Sequence, residues 1–242
     1  MSWIGDLYTL WLPSPANLIF AMMMGFFILL LAMKVKWYLA LPGAIAYGFS
    51  SYFFIIIGAG HIWKFITLSY IPPTIAGIVL CYRGRYLAGG ALAALFAMLQ
   101  IAGNHIQMSY YFMFVVVGFV VAYAVILYRR HNISQWVKAT GALAIAAVLA
   151  VAANSPSLYN TYEYSKETMR GNHSELSGEG NASAVNAGGG LNKDYITAWS
   201  YGKSETFTLL IPNVKGGATI KPEKGGNKLL SLYDVDATQD LV

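Results

Sequence analysis

The distribution of acidic residues constrains the fold of this chain more than any other feature. No Asp or Glu occurs between Asp6 and Glu163, and this stretch consists of long apolar segments separated by short gaps. A helix that crosses a bilayer needs about 20 predominantly apolar residues, and ionisable side chains are costly at that depth. The pattern therefore predicts a polytopic membrane protein. It also confines carboxylate chemistry to Asp6 or to the chain after Tyr162.

Six apolar segments are long enough to be read as membrane spans. The period-two alternation of membrane strands is absent from them, so we expect helices. Pro72 and Pro73 interrupt the third segment, and this span should be kinked or broken there. Residues 1–154 are thus predicted to form an all-α transmembrane bundle with helices at about 15–33, 37–57, 65–82, 86–103, 108–128 and 136–154.

The basic residues predict which side of the membrane each loop faces. The second and fourth gaps (58–64 and 104–107) hold only Lys64, whereas the first, third and fifth gaps and their flanks hold Lys34, Lys36, Arg83, Arg85, Arg129, Arg130 and Lys138. By the positive-inside rule the odd gaps face the cytoplasm. The even gaps, residues 1–14 and the tail from Ser155 then face outward. Because topology accounts for the net charge of +5, it gives no reason to expect a nucleic-acid partner.

An outward segment at the start of the chain leads to a further expectation. Residues 1–14 carry no secretory signal peptide that would translocate them. We therefore expect Met1 to be internal to a longer protein with at least one earlier helix. The chain also reaches Val242 without a closing element, so the sequence is interpreted as a fragment.

Residues 155–242 differ in composition and are predicted to form an outward-facing, incomplete mixed α/β tail. Ser155 and Pro156 are a helix-start signal, and they introduce an amphipathic interfacial helix over 157–170. Residues 171–190 are rich in Gly, Ser and Asn and are predicted to be a flexible loop. The aromatic and β-branched residues of 194–201 and 205–211 predict short strands.

Two short outward elements resemble one another and carry the main candidate site. Residues 58–64 (GAGHIWK) and 103–107 (GNHIQ) each place a glycine and a His-Ile pair at a helix end. One interpretation is a polar patch that receives a phosphate or sugar headgroup, and the other is a pair of interfacial histidine anchors. The residues of this candidate patch are His61, Lys64, Asn104, His105 and Gln107.

Metal binding at this patch is an open alternative. Zinc could bind His61 and His105, but the membrane part supplies no carboxylate or thiolate as a third ligand. No cofactor is therefore assigned, and a divalent metal ion is kept only as an alternative.

The remaining candidates are acids and aromatic residues outside the spans. Asp6, Asp194 and Glu205 are the candidate catalytic acids, and a solvated charge is the alternative for Asp194 and Glu205. Trp199 and Tyr201 lie close to Glu205, and aromatic faces beside planar polar groups are typical of sugar-binding surfaces. The sequence contains no P-loop, GxGxxG or nucleophile-elbow motif. The absence of acids within the spans argues against an ion-coupled transporter.

Four longer strings resemble a known family. They are AGHIWKF (59–65), NHIQMSYYF (104–112), LYNTYEYSKETMRG (158–171) and YITAWSYGKSETFTLLIPNVKGG (195–217). They resemble the YfhO family of bacterial membrane proteins, in versions found in the Bacteroidetes lineage. That family is similar to the GT-C class of glycosyltransferases. The resemblance implies a multi-pass protein of the bacterial cytoplasmic membrane that transfers a sugar from a polyprenyl-phosphate carrier. The acceptor would be a cell-envelope glycan or glycopolymer at the outer face.

The resemblance also implies roles for individual residues. GT-C enzymes carry an acid in the first outward loop, which here would lie mostly before Met1, with Asp6 near its end. This chain alone is therefore expected to be inactive. Lys64 is the first candidate to stabilise the departing phosphate, and Arg170 is the second. His61, His105 and Gln107 would orient phosphate or sugar oxygens.

Two rival functions are kept beside the transferase. One is a non-catalytic envelope assembly protein whose outward tail docks another component. The other is a transporter for a lipid-linked saccharide, which would need a polar path through the bundle. Gln100 and Thr67 are among the few interior polar residues of the predicted spans, and this counts against a transporter.

Overall fold

A computed structural model describes residues 2–166 and 206–207 of the chain. The described part is helical and contains no strand. Its helices are α1 (Ser2–Tyr8), α2 (Ala16–Ala32), α3 (Trp37–Gly48), α4 (Ser51–Gly58), α5 (Ile62–Ser69), α6 (Ile71–Tyr82), α7 (Tyr86–Ala102), α8 (Ile106–Arg129), α9 (Ile133–Ala153) and α10 (Ser155–Lys166).

Four helical stretches are long and apolar enough to cross a membrane, counting α3 with α4 and α5 with α6 as continuous. They are Trp37–Gly58, Ile62–Tyr82, Ile106–Arg129 and Ile133–Ala153. The apolar helices α2 and α7 have 17 residues each, which is the lower end of the range for a spanning helix. The described chain is therefore an all-α protein with the helices of a membrane protein. Each predicted span overlaps one of these six stretches.

Two of the stretches are interrupted. The break predicted at Pro72 and Pro73 is confirmed, because α5 ends at Ser69 and both prolines lie in the first turn of α6. Proline lacks the N–H group that would continue the helical hydrogen bonds across this point. The second break was not predicted: α3 ends at Gly48, and Ser50 is extended (φ −59°, ψ 135°) before α4 begins.

The central contact of the bundle is a close approach of α6 and α7. A Cβ atom placed on Gly77 would lie 2.5 Å from the backbone nitrogen of Ala93. A Cβ atom on Gly89 would lie 2.5 Å from the backbone nitrogen of Cys81. Gly77-Cys81 and Gly89-Ala93 are both pairs of small residues four apart, the spacing that allows membrane helices to pack backbone to backbone.

The other helices surround this pair. α2 packs on α6 at the proline break, where a Cβ on Gly25 would lie 2.8 Å from the carbonyl oxygen of Ser69. On the other side, the ring of Tyr82 stacks on Tyr123 of α8 at 4.5 Å, and its hydroxyl lies 3.0 Å from that of Thr140 in α9. Within the apolar part of each stretch, 72% of Ile62–Tyr82 is buried inside the bundle, compared with only 11% of Ile106–Arg129. α8 is therefore peripheral.

Side-chain hydrogen bonds join the three odd-numbered loops at one end of the bundle, which we call the basic end (residues 33–36, 83–85 and 130–132). The guanidinium of Arg83 donates to the carbonyl oxygens of Ala32 and Met33. These are unsatisfied groups at the end of α2, where a cation is also favourable. The amide of Gln135 donates to the carbonyl oxygen of Tyr82 at 2.6 Å. The basic residues of the odd gaps thus lie at one end.

The opposite end, which we call the polar end (residues 59–61, 103–105 and 154), carries the even-numbered loops and α10. Thr67 of α5 is fully buried and packs against Gly103. The amide of Asn154 donates to the carbonyl oxygens of Met98 and Ala150, both at 2.9 Å. These contacts join α5, α7 and α9 at the end from which α10 leaves.

Little of the predicted α/β tail falls within the described residues. α10 begins at Ser155, as the Ser-Pro signal predicts, and is described to Lys166. The predicted loop 171–190 and strand 194–201 lie outside the described residues. Of the predicted strand 205–211, only Thr206 and Phe207 are described, and they adopt a 3-10 helical conformation. The described residues therefore do not support the β part of the tail.

The close approach of α6 and α7 gives a stability prediction. Replacing Gly89 with Val places methyl groups where the backbone of Cys81 lies, and overpacking of this kind costs about 1–3 kcal/mol. The melting temperature of the purified protein in detergent should therefore fall. Gly141→Val on α9 is the matched control, because a Cβ atom there meets nothing within 4 Å. Equal melting temperatures for the two variants would contradict this packing.

Candidate functional site

The two polar-end loops are tight turns of three residues between consecutive helices. Residues 59–61 connect α4 to α5, and residues 103–105 connect α7 to α8. Each loop is closed by a residue in the left-handed region: Gly60 has φ +74° and Asn104 has φ +52°. In the first loop the N–H groups of Gly60 and His61 donate to Ile57 and Ile56, which is the Schellman pattern of helix termination.

The same device closes the basic-end loops. Lys34, Gly84 and His131 also have positive φ values. The residue after each of them donates its N–H to the carbonyl oxygen of the residue five positions earlier. The resemblance between the two histidine elements therefore has a local cause that they share with the other loops. A left-handed residue follows the end of one helix, and the next helix begins two or three residues later.

This geometry changes the interpretation of the glycines in the candidate patch. A glycine at a helix end can allow another group to approach the backbone closely. A Cβ on Gly58 or Gly60 would meet nothing within 4 Å, so neither position is crowded. A glycine is favoured at position 60 because the backbone there has a positive φ. Gly103 is a genuine close approach, because a Cβ there would lie 2.6 Å from the hydroxyl oxygen of Thr67.

The first loop presents His61 and Lys64 in different environments. His61 is exposed and precedes α5, where its carbonyl accepts the first helical hydrogen bond from Phe65 at 3.1 Å. Lys64 is half-buried one turn before Thr67. Residues three apart share a face of a helix, and Thr67 packs against Gly103. Lys64 therefore lies on the face of α5 that looks toward the second loop.

The second loop presents Asn104, His105 and Gln107. Asn104 is exposed, and its side-chain oxygen accepts a hydrogen bond from Thr161 of α10 at 3.3 Å. His105 is half-buried before the first turn of α8. Gln107 is exposed and donates to the hydroxyl of Tyr111 at 3.2 Å. The interfacial helix thus contacts the candidate patch through Asn104.

The five patch residues therefore share one end of the bundle but do not form a closed site. Within residues 2–166, no hydrogen bond joins the loop of His61 to the loop of His105. Their imidazole nitrogens have no hydrogen-bond partner in that part of the chain and are left to solvent, headgroups or a ligand. No group of three His, Cys, Asp or Glu residues in the described part could hold a metal ion.

Asp6 lies at the same end, on a helix that leans into the bundle. Its side chain is exposed. Tyr8, two residues later, donates its hydroxyl to the carbonyl oxygen of Ala21 at 3.0 Å. Burial, and secondarily the neighbouring Tyr70, raises the pKa of Tyr8 well above its usual value. Tyr8 therefore stays protonated and holds α1 against α2.

Three amide side chains near this end, of which Gln100 and Asn154 are buried, add to the candidate set. Gln100 is 2% exposed, and its amide nitrogen has no hydrogen-bond partner among the described residues. The buried side-chain oxygen of Asn17 also has no hydrogen-bond partner among them. Asn154 is 4% exposed and borders an open cleft of about 280 Å³ with Ala102, Ala153, Pro156 and Ser157. Sequence reasoning missed Asn17 and Asn154, although an amide at a span boundary is a readable signal.

The other candidate residues are not placed by the structure. Arg170, Asp194, Trp199, Tyr201 and Glu205 lie outside the described residues. A comparison of the chain with known protein families, with curated proteins and with solved structures gives no significant match in any of the three. Functional inference therefore depends on the residues themselves and on the arrangement of the polar end.

The turn geometry predicts opposite effects for two neighbouring glycines. Gly60→Ala should destabilise the protein by about 1 kcal/mol, because a residue with a Cβ resists the left-handed region. Gly58→Ala should leave stability unchanged or raise it slightly, since Gly58 is helical and uncrowded. Thermal unfolding of both variants in one detergent measures the difference. A larger loss for Gly58→Ala would show that the turn does not determine the glycine pattern.

Proposed function

We propose that the intact protein is a membrane glycosyltransferase of the GT-C type, related to the YfhO family. It would transfer a sugar from a polyprenyl-phosphate carrier to a glycan or glycopolymer of the bacterial cell envelope. The reaction would take place at the outer face of the cytoplasmic membrane, where the polar end and the tail would lie. Membrane lipids surround the bundle in this proposal.

The observation that carries the proposal is the gathering of unlike polar groups at one end. Asp6, the pair His61 and Lys64, and His105 belong to three separate segments, and all lie at the polar end. Arg83 and the other odd-loop cations lie at the opposite end, where Arg83 already binds the carbonyls that end α2. Within residues 2–166 Lys64 makes no such contact, and a lysine at the same end of the bundle as two imidazoles suits an anionic lipid-linked donor.

The proposed chemistry assigns each group one task. The bond between the anomeric carbon and the carrier phosphate breaks while an acceptor oxygen bonds to that carbon. A carboxylate takes the proton of the acceptor hydroxyl, and Lys64 stabilises the charge on the departing phosphate. His61, His105 and Gln107 donate hydrogen bonds to phosphate or sugar oxygens. Within residues 2–166 the carboxylates are Asp6 and Glu163, and Asp6 is the candidate base among them.

A non-catalytic envelope assembly protein is the second candidate, and α10 is the observation that favours it. Tyr159, Tyr162 and Tyr164 are 64%, 61% and 73% exposed, and exposed tyrosines are common in surfaces that bind other proteins. In this alternative the same end docks an envelope component instead of a sugar donor. A lipid-linked saccharide transporter is less well supported, because α2 to α9 bury few polar side chains.

The Lys64→Ala variant tests the transferase. The gene for the intact protein would be deleted in its native strain, and the strain complemented with wild type or a variant. We expect Lys64→Ala to behave like the deletion, with loss of one sugar from the envelope polymers and accumulation of its polyprenyl-phosphate donor. Lys138→Ala, an exposed lysine near the basic end, should restore both. Sugar analysis of the polymers and mass spectrometry of membrane lipids supply the two readouts.

The same experiment separates the two candidate functions. A deletion strain that keeps every envelope sugar and every lipid-linked donor at its normal level, but assembles less polymer, would favour the assembly protein. Full complementation by Lys64→Ala, at wild-type protein level, would refute the role of that lysine.

A further inference from the structure

The first helix of the described chain is inserted beside the bundle and does not lie above it. The ring of Tyr8 packs on Phe96 at 5.1 Å and on Tyr70 at 6.0 Å, and its hydroxyl bonds to Ala21. Ala21 is five residues inside α2, and Phe96 is six residues before the end of α7. At about 1.5 Å per residue, Tyr8 sits roughly 8–9 Å below the ends of these helices.

The outer side of this element is apolar. Leu7, Leu10, Trp11 and Leu12 are 50%, 61%, 68% and 37% exposed. No charged residue occurs from Leu7 to Met33. A contiguous group of large exposed apolar side chains marks a surface that meets another apolar phase. Because the element lies at the depth of α2 and α7, the phase beside it is the same one that surrounds those helices.

The backbone of the turn after α1 supports the same conclusion. Leu10 and Trp11 both have left-handed conformations, with φ values of 53° and 52°, and two consecutive bulky residues rarely do so. The turn is held by N–H groups of Leu10 and Trp11 that donate to the carbonyls of Leu7 and Asp6, at 3.2 and 2.9 Å. In water this turn would combine steric cost with exposure of two large apolar side chains. Contact with lipid removes the second cost.

We propose that residues 4–12 form a lipid anchor that lies in the membrane interface at the polar end. Its partner is the phospholipid leaflet on that side. Leu10 and Trp11 lie at the boundary between acyl chains and headgroups, where tryptophan is enriched, and Asp6 reaches the headgroup level. Tyr8, Gly5 and Ile4 hold the element on the protein side, against Tyr70, Phe96 and Leu99. The inference requires no enzymatic activity and goes beyond the proposed function.

Spin labelling of the full chain tests the anchor. In a Cys81→Ala background, single cysteines at Leu10 and Trp11 carry a nitroxide, and the protein is reconstituted in phosphatidylethanolamine–phosphatidylglycerol vesicles. Power-saturation EPR compares collision with oxygen, which concentrates in the bilayer, and with a water-soluble nickel complex. We expect the ratio of oxygen to nickel accessibility at both sites to be several-fold higher than at Asn132, an exposed loop position at the basic end.

Two controls fix the scale of that ratio. A label at Val121, which is 57% exposed in the middle of α8, should give the highest oxygen preference, and Leu10 and Trp11 should fall between it and Asn132. The labelled positions are surface residues, so folding is checked by size-exclusion elution against the unlabelled protein. Nickel accessibility at both Leu10 and Trp11 equal to that at Asn132 would place the turn in water and overturn the proposal.

Discussion

The backbone contact between α6 and α7 is the interaction on which the rest of the structure depends. In a bilayer, apolar side chains gain little by leaving lipid for protein, so helix association depends on close packing and hydrogen bonding. Gly77 and Gly89 allow the two backbones to meet, and Ala93 and Cys81 fill the remaining space. α2, α8 and α9 then pack on this pair through α6 or α7. The third span, which carries Gly77, is consequently the most buried of the four full-length stretches.

The loops convert this packing into two chemically different ends. Each of the five loops that join consecutive spans is closed by a left-handed residue, so the spans turn back within about three or four residues. Because these turns are short, each loop stays at the end of the bundle where the two helices that it joins meet. Arginine and glutamine side chains bond the odd loops to one another, while the even loops meet α10 through Asn104. Most of the basic residues and the polar loops are thereby separated by the length of a helix.

The positions of the spans could be predicted from the sequence. Other features could not, because they depend on tertiary contacts. Hydropathy and the paired prolines locate the spans and the break before α6, because transfer free energy and the missing N–H are local properties. The break at Ser50 was missed since neither Gly48 nor Ser50 forbids a helix in isolation, and the packing of Gly48 against Met23 is a tertiary feature. The depth of α1 depends on the Tyr8–Ala21 contact, which no periodicity encodes. The sequence predicts that the candidate site residues share one end of the bundle. The role of Gly60 in closing its turn follows only from its φ value in the structure.

We propose that the polar loops and the basic loops lie on opposite sides of the membrane, with the polar end outward. The most direct test is labelling of single cysteines with a membrane-impermeant maleimide in spheroplasts, in a Cys81→Ala background. Asn160 on α10 and Asn132 at the basic end are exposed positions for these cysteines. We expect Asn160→Cys to react in intact spheroplasts and Asn132→Cys to react only after lysis. Reaction of both before lysis, or the reverse order, would contradict it.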